Sequence, residues 1–235
     1  MVVIGIGTSR QDRDVYGYCT LFSRDGRFRL GKSSAAADNG SWKKGLPEFV
    51  EAQLSLLAEE DQWERGAPVR LIFHFSDAVD PQLIGELKAQ LQASHRFSYN
   101  SRYTFLLIGY RHPHRFFEPR SRMRMPLVPR RGHGQQQEDQ VLLQLRNLDD
   151  EQIEGAPLRV WLHPESDEKD LAGLATQVYR FSNLTWCGTD PEVLPATLIY
   201  GNLLTERLHA MERAGFRETI EMALTEHPDL KTWFL

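Results

Sequence analysis

Cysteine is nearly absent from this chain: Cys19 and Cys187 are the only two, and they stand far apart. That excludes a disulfide framework and a thiolate zinc centre, both of which need closely repeated cysteines. Each falls in or beside an apolar segment, which predicts buried free thiols and fits a reducing, cytoplasmic setting. Long apolar runs are missing too. None reaches the length of a membrane span, so no membrane partner is expected. The opening Met1-Val-Val-Ile-Gly-Ile-Gly7 has no basic stretch and no cleavage site, and reads as a strand rather than a signal peptide. No P-loop occurs, and Gly5-Ile-Gly7 is too short for a dinucleotide fingerprint. No Ser/His/Asp or Cys/His arrangement is readable. The eight histidines show no metal-ligand spacing beyond His112-x-His114, which on an arginine-rich segment reads as surface.

What is present is an ordinary globular composition, 41% hydrophobic and 26% charged over 235 residues, ample for a sizeable core. The net charge of -4 is unevenly spread. Arg96 to Arg131 holds nine arginines against the single acid Glu118, so this window carries +8 and the remainder -12. Such asymmetry speaks of an anionic partner more clearly than the total does. Arg111, Arg115, Arg120, Arg122, Arg124, Arg130 and Arg131 are interleaved with Tyr110, Phe116 and Phe117. Arginine's planar fork and weak hydration suit phosphate, and a loop of arginines can follow a nucleic-acid backbone without reading bases. A solvated loop or an arginine-rich protein interface is the competing reading of the same residues.

The order of elements points to an α/β fold. Val2–Ile6 is a short β-branched run, a buried strand. Tyr16–Phe22 and Arg27–Leu30 flank Asp25-Gly26, a hairpin signal. Leu46, Phe49, Val50, Leu54 and Leu57 recur at helical spacing. Val69–Phe75 is a strand, Pro81–Gln92 a helix capped by Asp80, and Tyr103–Tyr110 a strand. His112–Gln140, with four prolines and little periodicity, reads as an irregular surface loop. Val141–Leu145 and Leu158–Leu162 are strands. Asp170–Phe181 and Ala196–Arg213 are helices, the second with Leu198, Tyr200, Leu204 and Leu208 on an apolar face, and Glu218–Leu224 is a further one. The result is a mixed sheet with flanking helices, the order of an RNase H-like fold.

Phe181-Ser-Asn-Leu-Thr-Trp186, followed by Pro195-x-Thr197-x-x-Tyr200 ahead of a long helix, resembles the last helices of the PIWI domain of Argonaute proteins, particularly the short prokaryotic kind. Val2-Val-Ile-Gly-Ile-Gly7, Tyr16-Gly-Tyr-Cys-Thr-Leu-Phe22, Arg70-Leu-Ile-Phe-His-Phe75, Pro129-Arg-Arg-Gly132 and Ala156-Pro-Leu-Arg-Val-Trp-Leu162 are similar to other PIWI segments in the same order. The resemblance covers residues 1–235 as one PIWI-like domain. It implies binding of a guide RNA or DNA and of its complementary target, in a prokaryotic defence complex.

Where the chain departs from the pattern, the resemblance implies an inactive nuclease. An active PIWI domain places a carboxylate at the end of its first strand, where this chain has Gly7. It places a second after the fourth strand, where Ser76 stands, and a His or Asp on the late helix, where Asn202 stands. Paired Mg²⁺ ions about 3.5–4 Å apart need several carboxylates. Asp77, or Asp12 and Asp14 from the first turn, are the alternative ligands of an active Mg²⁺-dependent nuclease with displaced carboxylates. A protein-interaction scaffold that no longer binds nucleic acid is the third reading. The ending Trp233-Phe-Leu235 resembles Argonaute termini whose carboxylate helps bind Mg²⁺ at the guide 5′ phosphate, which makes Leu235 a metal-ligand candidate. No MID segment precedes the first PIWI strand, so either the chain is a fragment or a MID-containing or effector polypeptide is the expected partner.

Overall fold

The computed structural model describes residues 1–11, 14–23, 28–32, 39–64, 66–76, 81–94, 97, 100–116, 131–145, 156–184 and 194–216. For 8–11, 14–17, 28–32, 39–43, 81, 202, 204–209, 211 and 212 the backbone alone is described.

Eight strands form one mixed sheet. They are β1 (Val2–Gln11), β2 (Asp14–Phe22), β3 (Phe28–Lys32), β4 (Arg70–Ser76), β5 (Arg102–Gly109), β6 (Gly134–Gln137), β7 (Gln140–Leu143) and β8 (Leu158–Leu162). Their spatial order is β3-β2-β1-β4-β5-β8-β7-β6. The central β1, β4 and β5 run parallel, and the strands on either side are antiparallel. The parallel strands are covered on both faces, which is why Leu71–Phe75 and Tyr103–Ile108 are continuously buried rather than alternating.

Helices α1 (Asn39–Glu60) and α2 (Pro81–Ala93) cover one face. There Leu46, Val50, Leu54, Ile84 and Leu87 pack on Ile4, Ile6, Phe73 and Phe105. Helices α3 (Leu171–Phe181) and α4 (Ala196–Arg213) cover the other, where Leu174, Val178, Leu198 and Tyr200 meet Val3, Ile72, Leu106 and Val160. This is the RNase H-like mixed sheet with flanking helices that the sequence pattern predicts.

Three segments differ from the sequence reading. β1 runs on to Gln11, pairing beyond Ile6 with β2 alone, and the residues Thr8-Ser-Arg-Gln11 give no apolar signal in the sequence. α1 starts before the apolar spacing does, through polar residues and across Pro47. Residues 134–137, within the stretch read as irregular loop, form the edge strand β6 against β7. Its Gln135 and Gln136 are exposed, so nothing apolar betrays the strand. Asp80, residues 218–224 and Cys187 lie outside the described residues, and Cys19 is a buried free thiol. Among the described residues no helix is long and apolar enough to cross a membrane.

Candidate functional site

Antiparallel register sets Gly7 of β1 opposite Tyr18 of β2, and Gly5 opposite Thr20. Partners in such a register point their side chains to one face. On that face lies α4, which runs alongside β1: Thr197 sits over Gly5, and Gly201 over Tyr18 beside Gly7. The approach is too close for any side chain. A Cβ at Gly5 would coincide with the Thr197 carbonyl oxygen, and one at Gly201 would lie 2.6 Å from Tyr18 Cγ. Glycine at 5 and 201 is therefore a packing requirement.

The seam under α4 is polar. Thr20 Oγ1 donates to the Thr197 carbonyl. His74 Nδ1 and Thr197 Oγ1 are hydrogen-bonded at 2.8 Å. His74 is fully buried, with its ring edge-on to Phe181 at 6.0 Å and its Nε2 without a partner among the described residues. Burial holds its pKa down to about 3, so the imidazole is neutral.

Tyr18 closes the seam at the carboxyl ends of the parallel strands. Its side chain is 1% exposed. The ring passes between Gly7 and Gly201, and the hydroxyl stands where a Cβ at position 7 would project. That hydroxyl donates to the Leu198 carbonyl at 3.2 Å and shares a hydrogen bond with the Ser76 side chain. Burial raises the phenol's pKa, and the Ser76 bond offsets part of the rise.

Gly7 and Ser76 are level in the sheet, one residue beyond the Ile6–Phe75 pair. The Asn202 backbone is next to Gly201 on α4. Thus Gly7 and Ser76, two of the three positions singled out in the sequence, stand together, while the side chain of Asn202 lies outside the described residues. Their chemistry does not suit a pair of Mg²⁺ ions: position 7 offers no donor, position 76 a neutral hydroxyl, and the space between them holds a phenol. Asp12 and Asp77 lie outside the described residues, and of Asp14 only the backbone is described.

A basic rim adjoins this place. Arg111 stands two residues beyond the end of β5, and Arg159 of β8 is registered with Gly109 at the same end. His112 Nε2 donates to the Pro157 carbonyl at 2.8 Å, clamping the turn after β5 to the approach of β8. Burial, with Arg159, His114 and Arg115 nearby, lowers the His112 pKa although the Pro157 bond acts the other way. Arg115 Nη1 donates to the His112 and His114 carbonyls, at 3.3 and 2.8 Å. Phe116 is buried edge-on to His133 at 5.9 Å, so the two described ends of the arginine segment are anchored side by side. Arg131 is engaged at the end of α3: Nη2 donates to Asn183 Oδ1 at 2.8 Å and to Ser182 Oγ at 3.3 Å, with the guanidinium 5.7 Å from the Tyr179 ring centroid. Of the seven arginines singled out, the structure thus gathers Arg111, Arg115 and Arg131 at one end of the sheet. Arg120, Arg122, Arg124, Arg130 and Leu235 lie outside the described residues.

Sequence reasoning quoted the segments holding Tyr18, Thr20, His74 and Thr197 but gave none of the four a role in the site. Each looks like ordinary strand or helix filling until the β1–β2 register places it on the α4 face. The only available signal was Gly5-Ile-Gly7 itself, two glycines on one side of a strand that must let something come close.

The sheet order, the covering helices and a site at the carboxyl ends of the central strands define an RNase H-like domain. No protein-family profile matches the chain. In sequence it is 25% identical over 231 residues to an Argonaute protein of Cereibacter sphaeroides, covering 88% of this chain and 30% of that protein. The chain therefore spans about a third of the length of that curated relative. In structure it is similar to Clostridium butyricum Argonaute, solved bound to a guide DNA and a 19-mer target DNA, with TM-score 0.67 and 14% identity over 86% of this chain and 26% of that one. It is also similar to the C-terminal lobe of a budding yeast Argonaute, with TM-score 0.66 and 12% identity over 94% of this chain and 49% of that one. Sequence and fold point the same way: the chain is similar in sequence to an Argonaute protein and has the RNase H-like fold of the Argonaute PIWI domain.

Proposed function

We propose that this domain holds a guide strand, RNA or DNA, paired with its complementary target, and does not cut either. In this reading it is the PIWI domain of a short prokaryotic Argonaute, acting with a MID-containing or effector polypeptide in defence against invading nucleic acid. Base pairing supplies the sequence recognition, while the protein grips the backbone.

The observation that carries the absence of cutting is the trio Gly7, Tyr18 and Ser76: a phenol is packed where the fold's nucleases need carboxylates. Binding is supported by the basic rim, in which Arg111, Arg115 and Arg159 lie at the carboxyl end of the sheet, the end at which open α/β sheets accept ligands. Leu235 as a ligand to Mg²⁺ at the guide 5′ phosphate belongs to the same reading and rests on the sequence resemblance.

Equilibrium binding to short 5′-phosphorylated oligonucleotides tests the binding half. With about four phosphates gripped, log affinity should fall with log salt at a slope of roughly -3 to -4. Arg111→Glu with Arg115→Glu should weaken binding and flatten that slope while the protein still melts cooperatively. Binding that ignores both salt and the charge reversals would remove the rim from the interface, and no binding by the chain with its native partners would favour the scaffold reading.

A further inference from the structure

We propose that Tyr18 has replaced the metal centre as the structural keystone of this domain, filling and tying together the space that a nuclease of the same fold leaves to carboxylates and cations. This rests on the reading of Gly7 and Ser76 as vacated ligand positions, and goes beyond it by assigning a residue that closes them.

Tyr18 reaches three elements from the strand that carries it. Its ring lies against Gly7 of β1 and Gly201 of α4. Its hydroxyl bonds to the Leu198 carbonyl of α4 and to Ser76 at the end of β4. A nuclease links the same strands and helix through metal ions, whose ligands come from several elements at once. Here one neutral side chain makes those links, and all of its polar capacity is turned inward. An aromatic ring laid over a cross-strand glycine is a recognised way of recovering the packing that the glycine lacks.

The arrangement has a strict consequence. A Cβ at position 7 would overlap Tyr18 Oη and Cζ and stand 2.8 Å from Cε1, all at the outer end of the ring. A side chain at 7 therefore cannot share the seam with the Tyr18 ring unless that ring is displaced. The glycine at 7 and the phenol at 18 thus belong together, and an aspartate placed at position 7 alone would meet the ring rather than open a site.

A stability cycle on the full chain tests this without any nucleic acid, so its failure is separate from failure of guide binding. Thermal unfolding would compare wild type, Gly7→Ala, Tyr18→Val, Tyr18→Phe and the combinations of Gly7→Ala with each change at 18. Valine suits a strand and stops short of the contested space. Gly7→Ala should lower the melting temperature by on the order of 10 °C in the tyrosine background, the cost of overpacking a rigid seam. The same change should cost only a degree or two once Tyr18 is Val, and should remain costly when it is Phe, which keeps the ring. If Gly7→Ala does not fold on its own, Tyr18→Val with and without Gly7→Ala still decides. Equal melting temperatures support the proposal. An alanine penalty of the same size in both backgrounds overturns it.

Discussion

At the scale of single residues, His74 shows how far this fold bends ordinary chemistry. Burial keeps its imidazole neutral with a pKa near 3, against an ordinary value of 6.5. In the unfolded chain the same ring takes up a proton once the pH falls below about 6.5. Between those two values the unfolded state binds more protons than the native one, so stability must drop as pH falls. The contribution of His74 is complete above about pH 7 and is lost progressively on acidification towards pH 3. A single group of this kind removes roughly 2 kcal/mol between pH 7 and pH 5. Urea unfolding at those two pH values should show the loss, and His74→Gln should shrink it. An undiminished acid slope in the variant would mean that His74 is not the group that titrates.

At the scale of elements, α4 decides how the site is built. It meets the sheet through Gly5, Gly7 and Gly201 and through hydrogen bonds from Thr20 and Tyr18 to its first-turn carbonyls. Gly5→Ala should therefore cost about 3 kcal/mol or more, since its methyl group would coincide with the Thr197 carbonyl and backbone cannot rotate away. Gly85 provides the contrast. It lies inside α2, and a methyl group added there would meet nothing within 4 Å, so Gly85→Ala should stabilise by about 1 kcal/mol through helix propensity. Denaturant midpoints for the two variants should move in opposite directions, and parallel shifts would contradict the packing account.

The same elements show what could be read in advance. β4, β5, α2, α3 and α4 were legible because each buries a continuous or periodic set of apolar side chains. β6 and the far end of β1 were not, because an exposed glutamine edge and the residues Thr8-Ser-Arg-Gln11 give no apolar signal. Positions 7, 76 and 202 were named by the family resemblance, and the structure sets the first two level in the sheet. Tyr18 did not, because its role depends on which strand pairs with which and in what register, and local periodicity carries no such information.

At the scale of the whole molecule, charge and fold act together. The arginine-rich window concentrates +8 in a chain of net charge -4, and its described ends are fastened together at the carboxyl end of β5. In the proposed reading such a domain draws a polyanion to the end of the sheet that presents a glycine, a serine and a buried phenol. Attraction without hydrolysis is the central claim. The most direct measurement mixes the purified protein and its native partners with a radiolabelled 5′-phosphorylated guide and a complementary target in Mg²⁺, and follows binding and cleavage on one gel. The account predicts a salt-sensitive guide–target complex with both strands intact, whereas a Mg²⁺-dependent cut target that disappears in Asp77→Ala would contradict it.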